Sequence, residues 1–264
     1  MCRLRVELFG IAASTLLIVG CNGSSLDGSD TGSTPTNASA TGVWSGSDSV
    51  SGLGITALIN SSGQANFIRS DGVQFVGSVQ VSGDAIAGTV GVYSNFGTAF
   101  ADASTHGLGT LNGSVTSAGA MTVSLSFTTD AGTAASGNWS LSFDTLTSSG
   151  SSLTAISGNY TDGTTGATVS ISGAGQMNSQ DAATGCVLNG SLSTMAGSID
   201  VYQVAYSYEN CSGAPAVLNG VPFTGLAVLN GNASPAQVII GVSGQSTASG
   251  STVYYGIVSY LDGS

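Results

Sequence analysis

Met121-Thr122-Val123-Ser124-Leu125-Ser126-Phe127 alternates apolar and polar residues without a fault. That period of two is the feature that most restricts what this chain folds into. Successive side chains of a strand point to opposite faces, so strict alternation puts every apolar residue on one side of a sheet. Trp139-Ser140-Leu141-Ser142-Phe143 repeats the pattern, and Val73 to Val81 does so through Phe75, Val79 and Val81. One buried face and one wet face mark antiparallel sheet. No apolar stripe at helical spacing occurs after Val19.

Ser82-Gly83-Asp84, Ala118-Gly119 and Asp162-Gly163 separate the alternating runs. Consecutive strands therefore join as an up-and-down meander. Leu-Asn-Gly occurs at 111–113, 188–190, 218–220 and 229–231. The first two lie inside alternating runs and read as glycines within strands; the last two read as turns. The stretch from Tyr93 to Gly107 is the least patterned. Gly, at 40 of 264 residues, is about twice its usual share of ~7%. Disordered chains lack the recurring Val, Ile, Leu, Tyr and Phe seen here, so the expectation is a folded all-β protein.

From Gly42 onward the chain is long enough for one large β domain or two of ordinary size. Several motifs recur. Gly63-Gln64 matches Gly175-Gln176, Gly77-Ser78-Val79 matches Gly190-Ser191-Leu192, and Val92-Tyr93 matches Val201-Tyr202. Trp44 has a counterpart in Tyr160, and Phe143-Asp144 in Leu261-Asp262. These matches point to a tandem duplication, against the ease of chance matches in Gly/Ser-rich sequence. The domains expected are 42–145 and 146–264, each an eight-stranded barrel or sandwich.

The chain begins differently. Arg3 and Arg5 precede Leu8 to Val19, a run without charge. A secretory apolar region spans about 7–15 residues and a membrane-spanning helix roughly 20, so the run is a targeting segment. It ends in Ile18-Val19-Gly20-Cys21, which resembles the lipobox of bacterial lipoproteins. That resemblance implies that residues 1–20 are a signal peptide and that Cys21 receives the lipid. Asn22, standing where Asp would favour inner-membrane retention, points to the outer membrane, with the body facing the periplasm or the cell surface. Two or more acyl chains give stable anchoring. Residues 21–41 are the lipidated Cys and a tether rich in Gly, Ser and Thr; as a flexible coil it reaches about 25 Å. The layout resembles the tethered β-barrel surface lipoproteins, such as the transferrin-binding lipoproteins and factor H-binding protein. The resemblance is architectural and carries no binding residue across. A membrane-spanning barrel is disfavoured because Ser259 to Ser264 lacks the terminal aromatic usual in those proteins.

The formal charge is −11, with three basic residues and no lysine. Loss of residues 1–20 removes Arg3, Arg5 and Glu7 and leaves Arg69 as the only base. A phosphate backbone needs several Lys or Arg for counterion release, so nucleic acid is excluded as a partner, and anionic lipid for the same reason. Lysine-dependent phosphate loops are ruled out too. The partners expected are the membrane, through the lipid anchor, and an unidentified protein or glycan ligand.

Cys186 and Cys211 remain once Cys2 leaves with the signal and Cys21 is lipidated. Outside the cytoplasm two such cysteines make a disulfide. A hairpin turning at Ala196-Gly197-Ser198 sets 187–194 against 199–210 and brings the two cysteines together at its open end. Chain-entropy arguments give such a staple about 3.5 kcal/mol. Two thiols and a distant histidine are too few for a metal site, and no cofactor motif occurs. His106, in Ser104-Thr105-His106-Gly107, is the only histidine. It reads as a solvated loop residue, and no Gly-x-Ser-x-Gly elbow accompanies it. Tyr202, Tyr206 and Tyr208 share a strand face and read as core. The function expected is a lipid-anchored, non-enzymatic envelope protein serving in binding, adhesion or structure. The alternative is a secreted hydrolase using His106 with an unidentified Ser or Asp.

Overall fold

The computed structural model describes residues 38–144, 151–195, 200–248 and 250–264. The signal segment, Cys21 and most of the tether lie outside the described residues, as does the expected turn at Ala196-Gly197-Ser198. Among the described residues sixteen strands form two closed antiparallel barrels of eight strands each. The first runs from β1 (Gly42–Asp48) to β8 (Ala134–Phe143) and closes by pairing β8 with β1. The second runs from β9 (Gly158–Asp162) to β16 (Ser251–Gly263) and closes by pairing β16 with β9. Within each barrel every strand pairs with its neighbours in sequence, so the meander expected from the turn signals is realised as barrels, not sandwiches.

The alternation explains the closure. On β7 (Ala120–Thr129), Met121, Val123 and Leu125 point inward and are buried, while Thr122, Ser124 and Ser126 are exposed. On β12 (Val187–Thr194), Leu188 and Leu192 are buried between exposed Asn189, Ser191 and Ser193. An apolar interior under a polar outer face is the reverse of a lipid-spanning barrel, whose outer band is apolar. Among the described residues no helix is long and apolar enough to cross a membrane. Leu111-Asn112-Gly113 and Leu188-Asn189-Gly190 lie within strands, and Gly220 and Gly231 in turns, as the sequence indicates.

The two barrels repeat each other in detail. Gly63 and Gly175 both have positive φ, at 81° and 79°. Each carbonyl accepts a 2.7 Å hydrogen bond, from Val79 and from Leu192 respectively. A Cβ would meet the carbonyl oxygen of that same residue at 2.4 and 2.2 Å, so only glycine fits. Trp44 Nε1 donates to the Ala40 carbonyl at 2.8 Å, and the Tyr160 hydroxyl donates to the Ile156 carbonyl at 2.7 Å. In each barrel the segment before the first strand thus closes one end: Ala38 and Ala40 in the first, the short helix α1 (Leu153–Ile156) in the second.

Two of the expected matches are corrected by the register. Gly77 pairs with Val90 and Gly190 pairs with Tyr206. Val92 therefore corresponds to Tyr208, not to Val201. Trp44 pairs with Phe143 and Tyr160 with Gly263, so Leu261 corresponds to Leu141 and not to Phe143. Local similarity misplaced both because turns of different length separate the strands.

The barrels pack side by side. Val43, Leu58 and Ile68 of the first meet Leu226, Val228, Ile239 and Val258 of the second in one buried cluster. These residues point away from their own barrel interiors. Strands buried on both faces read as continuous apolar runs, as in Ala57-Leu58-Ile59 and Val238-Ile239-Ile240. Buried Gln74 takes a hydrogen bond from Asn66 and donates to the Val242 carbonyl across the interface.

Candidate functional site

The interiors differ where the topology does not. Four residues after Gly63 stands Phe67, inward on β3 (Gln64–Arg69); four after Gly175 stands Ser179 on β11 (Gln176–Gln180). Two residues before Leu141 stands Trp139; two before Leu261 stands Ser259. Registers agree: Phe67 lies between Ala57 and Phe75, Ser179 between Val169 and Leu188. Trp139 pairs with Val123 and Ser259 with Ile240. In the first barrel Phe67 and Trp139 fill the interior, their rings 5.1 Å apart, with Phe75 at 4.9 Å from Trp139. In the second barrel the same space is lined by two serines.

The result is a cavity of about 240 Å³ at one end of the second barrel. Its walls are inward residues such as Met177, Leu188, Ile240 and Leu261. Its rim is built from the turn after β9, the loop between β11 and β12, and the segment between β13 (Val201–Glu209) and β14 (Phe223–Asn230). The first barrel supplies part of the rim. Its loop after β5 (Ala85–Tyr93) crosses to β16, where Phe96 N–H donates to the Gly256 carbonyl and Asn95 Oδ1 accepts from Val258 N–H at 3.0 Å. Phe96 then packs on the second barrel's core and lines the cavity. A Cβ at Gly256 would stand 2.7 Å from Tyr93 Cβ, so glycine permits this approach.

Polar groups enter the cavity at a few points. The Tyr206 and Tyr208 rings meet edge-on, 5.3 Å apart. Burial pushes the Tyr206 phenol well above its ordinary value, and Tyr208 and Asp162 add to the rise. Burial likewise raises Tyr208. Asp162 is only 9% exposed. Asp181, on the rim, is held below the usual carboxylate range by the Thr184 hydroxyl and the Ala183 N–H. No Lys, Arg or His is among the described residues lining the cavity.

Cys186 and Cys211 are bonded, with Cα atoms 4.0 Å apart. β12 and β13 pair from Val187–Glu209 to Thr194–Tyr202, so the bond staples the open end of that hairpin as its spacing indicates. Cys186 lines the cavity, so the staple also fixes the rim. Tyr202 and Tyr206 are core residues, with Val204 between them.

His106 corrects the expectation of a solvated loop. It opens β6 (His106–Val115), is 4% exposed, and its Nδ1 lies 3.0 and 3.1 Å from the two Asp130 carboxylate oxygens. Its ring stacks on Tyr254 of the second barrel at 3.8 Å and meets Tyr93 edge-on at 5.1 Å. The loop reading failed because a polar sequence neighbourhood does not reveal a neighbouring barrel. His106 does not line the cavity. The cavity itself was missed in the sequence; its signal is Ser179 and Ser259 standing where the first barrel has Phe67 and Trp139. Comparison with known proteins finds no matching family model and no matching curated sequence.

Proposed function

We propose that this protein is a lipid-anchored component of the bacterial outer membrane that binds a ligand rather than transforming one, with the second barrel as its binding domain. The observation that carries the reading is the cavity: the fold supplies the same interior twice, fills one with Phe67 and Trp139, and leaves the other lined by Ser179 and Ser259. Concave, mostly apolar sites with a few converging polar groups are where ligands bind. The lipobox-like Ile18-Val19-Gly20-Cys21 and the tether to residue 41 support a body held beside a membrane.

The hydrolase reading has one observation in its favour, the hydrogen-bonded His106 and Asp130. A His oriented by a carboxylate is two-thirds of a nucleophile-activating triad. Against it, the histidine is sandwiched between tyrosines of the two barrels and away from the cavity.

The test is metabolic labelling with a fatty acid. Wild-type protein is expected to take up label and fractionate with the outer membrane, and Cys21→Ser to remain an unlabelled precursor. Equal labelling of the two overturns the anchor. Hydrolysis of a panel of ester and amide substrates by wild type, lost in His106→Gln, would favour the enzyme instead.

A further inference from the structure

The cavity wall carries an unbalanced charge. Asp162 Oδ1 accepts from the N–H groups of Thr164 and Thr165, at 2.9 and 2.8 Å, and from the Thr165 hydroxyl at 3.1 Å. Its Oδ2 accepts no hydrogen bond among the described residues. Asp181, by contrast, has both oxygens occupied by its own loop. The one basic side chain among the described residues besides His106 is Arg69, which is committed to Asp71 at 2.9 Å. Asp162 lines the cavity with no basic side chain beside it, so a cation entering the apolar space meets a negative charge that nothing there offsets. An anion entering here would find carboxylates and phenols with no opposing charge.

Size narrows the occupant further. About 240 Å³ lies below the roughly 300–1,000 Å³ of drug-sized sites and above the about 150 Å³ that holds one benzene. The walls are apolar, and aromatic rings near a carboxylate favour cations.

We propose that the second barrel binds a small organic cation, an apolar body of about one ring bearing an ammonium group, with the ammonium on Asp162 Oδ2 beside Tyr206 and Tyr208 and the ring in the space left by Ser179 and Ser259. This rests on the reading that the protein binds rather than catalyses. The loop carrying Phe96 makes the site a joint product of both barrels.

Three one-ring probes test it by titration calorimetry: phenethylammonium, 2-phenylethanol and phenylacetate. The full chain is used in phosphatidylcholine vesicles, with empty vesicles as reference. Phenethylammonium is expected to bind, the alcohol about tenfold more weakly or worse, and phenylacetate not at all. Asp162→Asn keeps an oxygen for the Thr164 and Thr165 N–H groups and should bring the amine down to the alcohol's affinity. Ser179→Phe should abolish binding of both by restoring the first barrel's filling. Equal affinity for amine and alcohol, unchanged by Asp162→Asn, overturns the charge assignment and leaves a binding barrel in place. Binding of none of the three by folded wild-type protein overturns the assignment and the binding reading together. The probe series on unaltered protein decides the matter even where a variant fails to fold.

Discussion

The first barrel is packed with Trp and Phe; the second is built around Tyr and Ser. Both tryptophans, Trp44 and Trp139, lie in the first, and of the eight tyrosines only Tyr93 does. Strand number, pairing order and the turns at Gly63 and Gly175 are the same. The comparison teaches that barrel closure depends on alternation and turn chemistry, while interior volume depends on a few inward positions. Replacing two rings by hydroxymethyl groups leaves the hydrogen-bonded ladder intact, because the ladder is made by backbone and not by what points inside. The second barrel has a disulfide at the cavity rim; among the described residues the first holds no cysteine.

The sharpest way to break the comparison is to empty the first barrel. Trp139→Ala removes a buried ring packed on Phe67 and Phe75, and large-to-small changes of this kind cost about 3–5 kcal/mol. Ser259→Ala at the corresponding position should stay within about 1 kcal/mol. Denaturant unfolding followed by Trp44 fluorescence reads the first effect. A Trp139→Ala cost no larger than that of Ser259→Ala would show the first interior to be no better packed than the second.

A somewhat smaller effect should fall on the other barrel. Replacing Cys186 and Cys211 by Ser is expected to cost about 2–5 kcal/mol. Tyrosine signals should report the loss, with tryptophan fluorescence, confined to the first barrel, moving less. Equal shifts in both signals would show the two barrels unfolding as one unit through their shared cluster of Leu58, Ile68, Leu226 and Ile239.

The mildest difference is in alkaline response. Burial raises Tyr160, Tyr202, Tyr206, Tyr208 and Tyr260 of the second barrel above the ordinary phenol value, against Tyr93 alone in the first. The folded state therefore favours the protonated form. That contribution is full below an unfolded value of about 10 and is lost as pH rises through the folded values. Phenolate absorbance should appear later in folded than in denatured protein, and the tyrosine-detected transition should weaken from about pH 10 upward. Coincident titration of folded and denatured protein would remove this distinction between the barrels.

Much of this molecule is readable in its residues. Alternation such as Met121 to Phe127 determines strands with one wet face, and Ser82-Gly83-Asp84 or Ala118-Gly119 determines where they turn, because both are local consequences of backbone geometry. The Cys186–Cys211 pairing is legible for the same reason: hairpin register is set by neighbouring residues. What only the tertiary structure decided is what lies next to what across the sheets. Leu58 and Ile68 face a second barrel, His106 is stacked on Tyr254, Phe96 closes its neighbour's rim, and Ser179 and Ser259 leave a space between them. Each depends on strands far apart in sequence arriving at one place. Local pattern says which face a side chain takes, but only closure and docking say what that face meets.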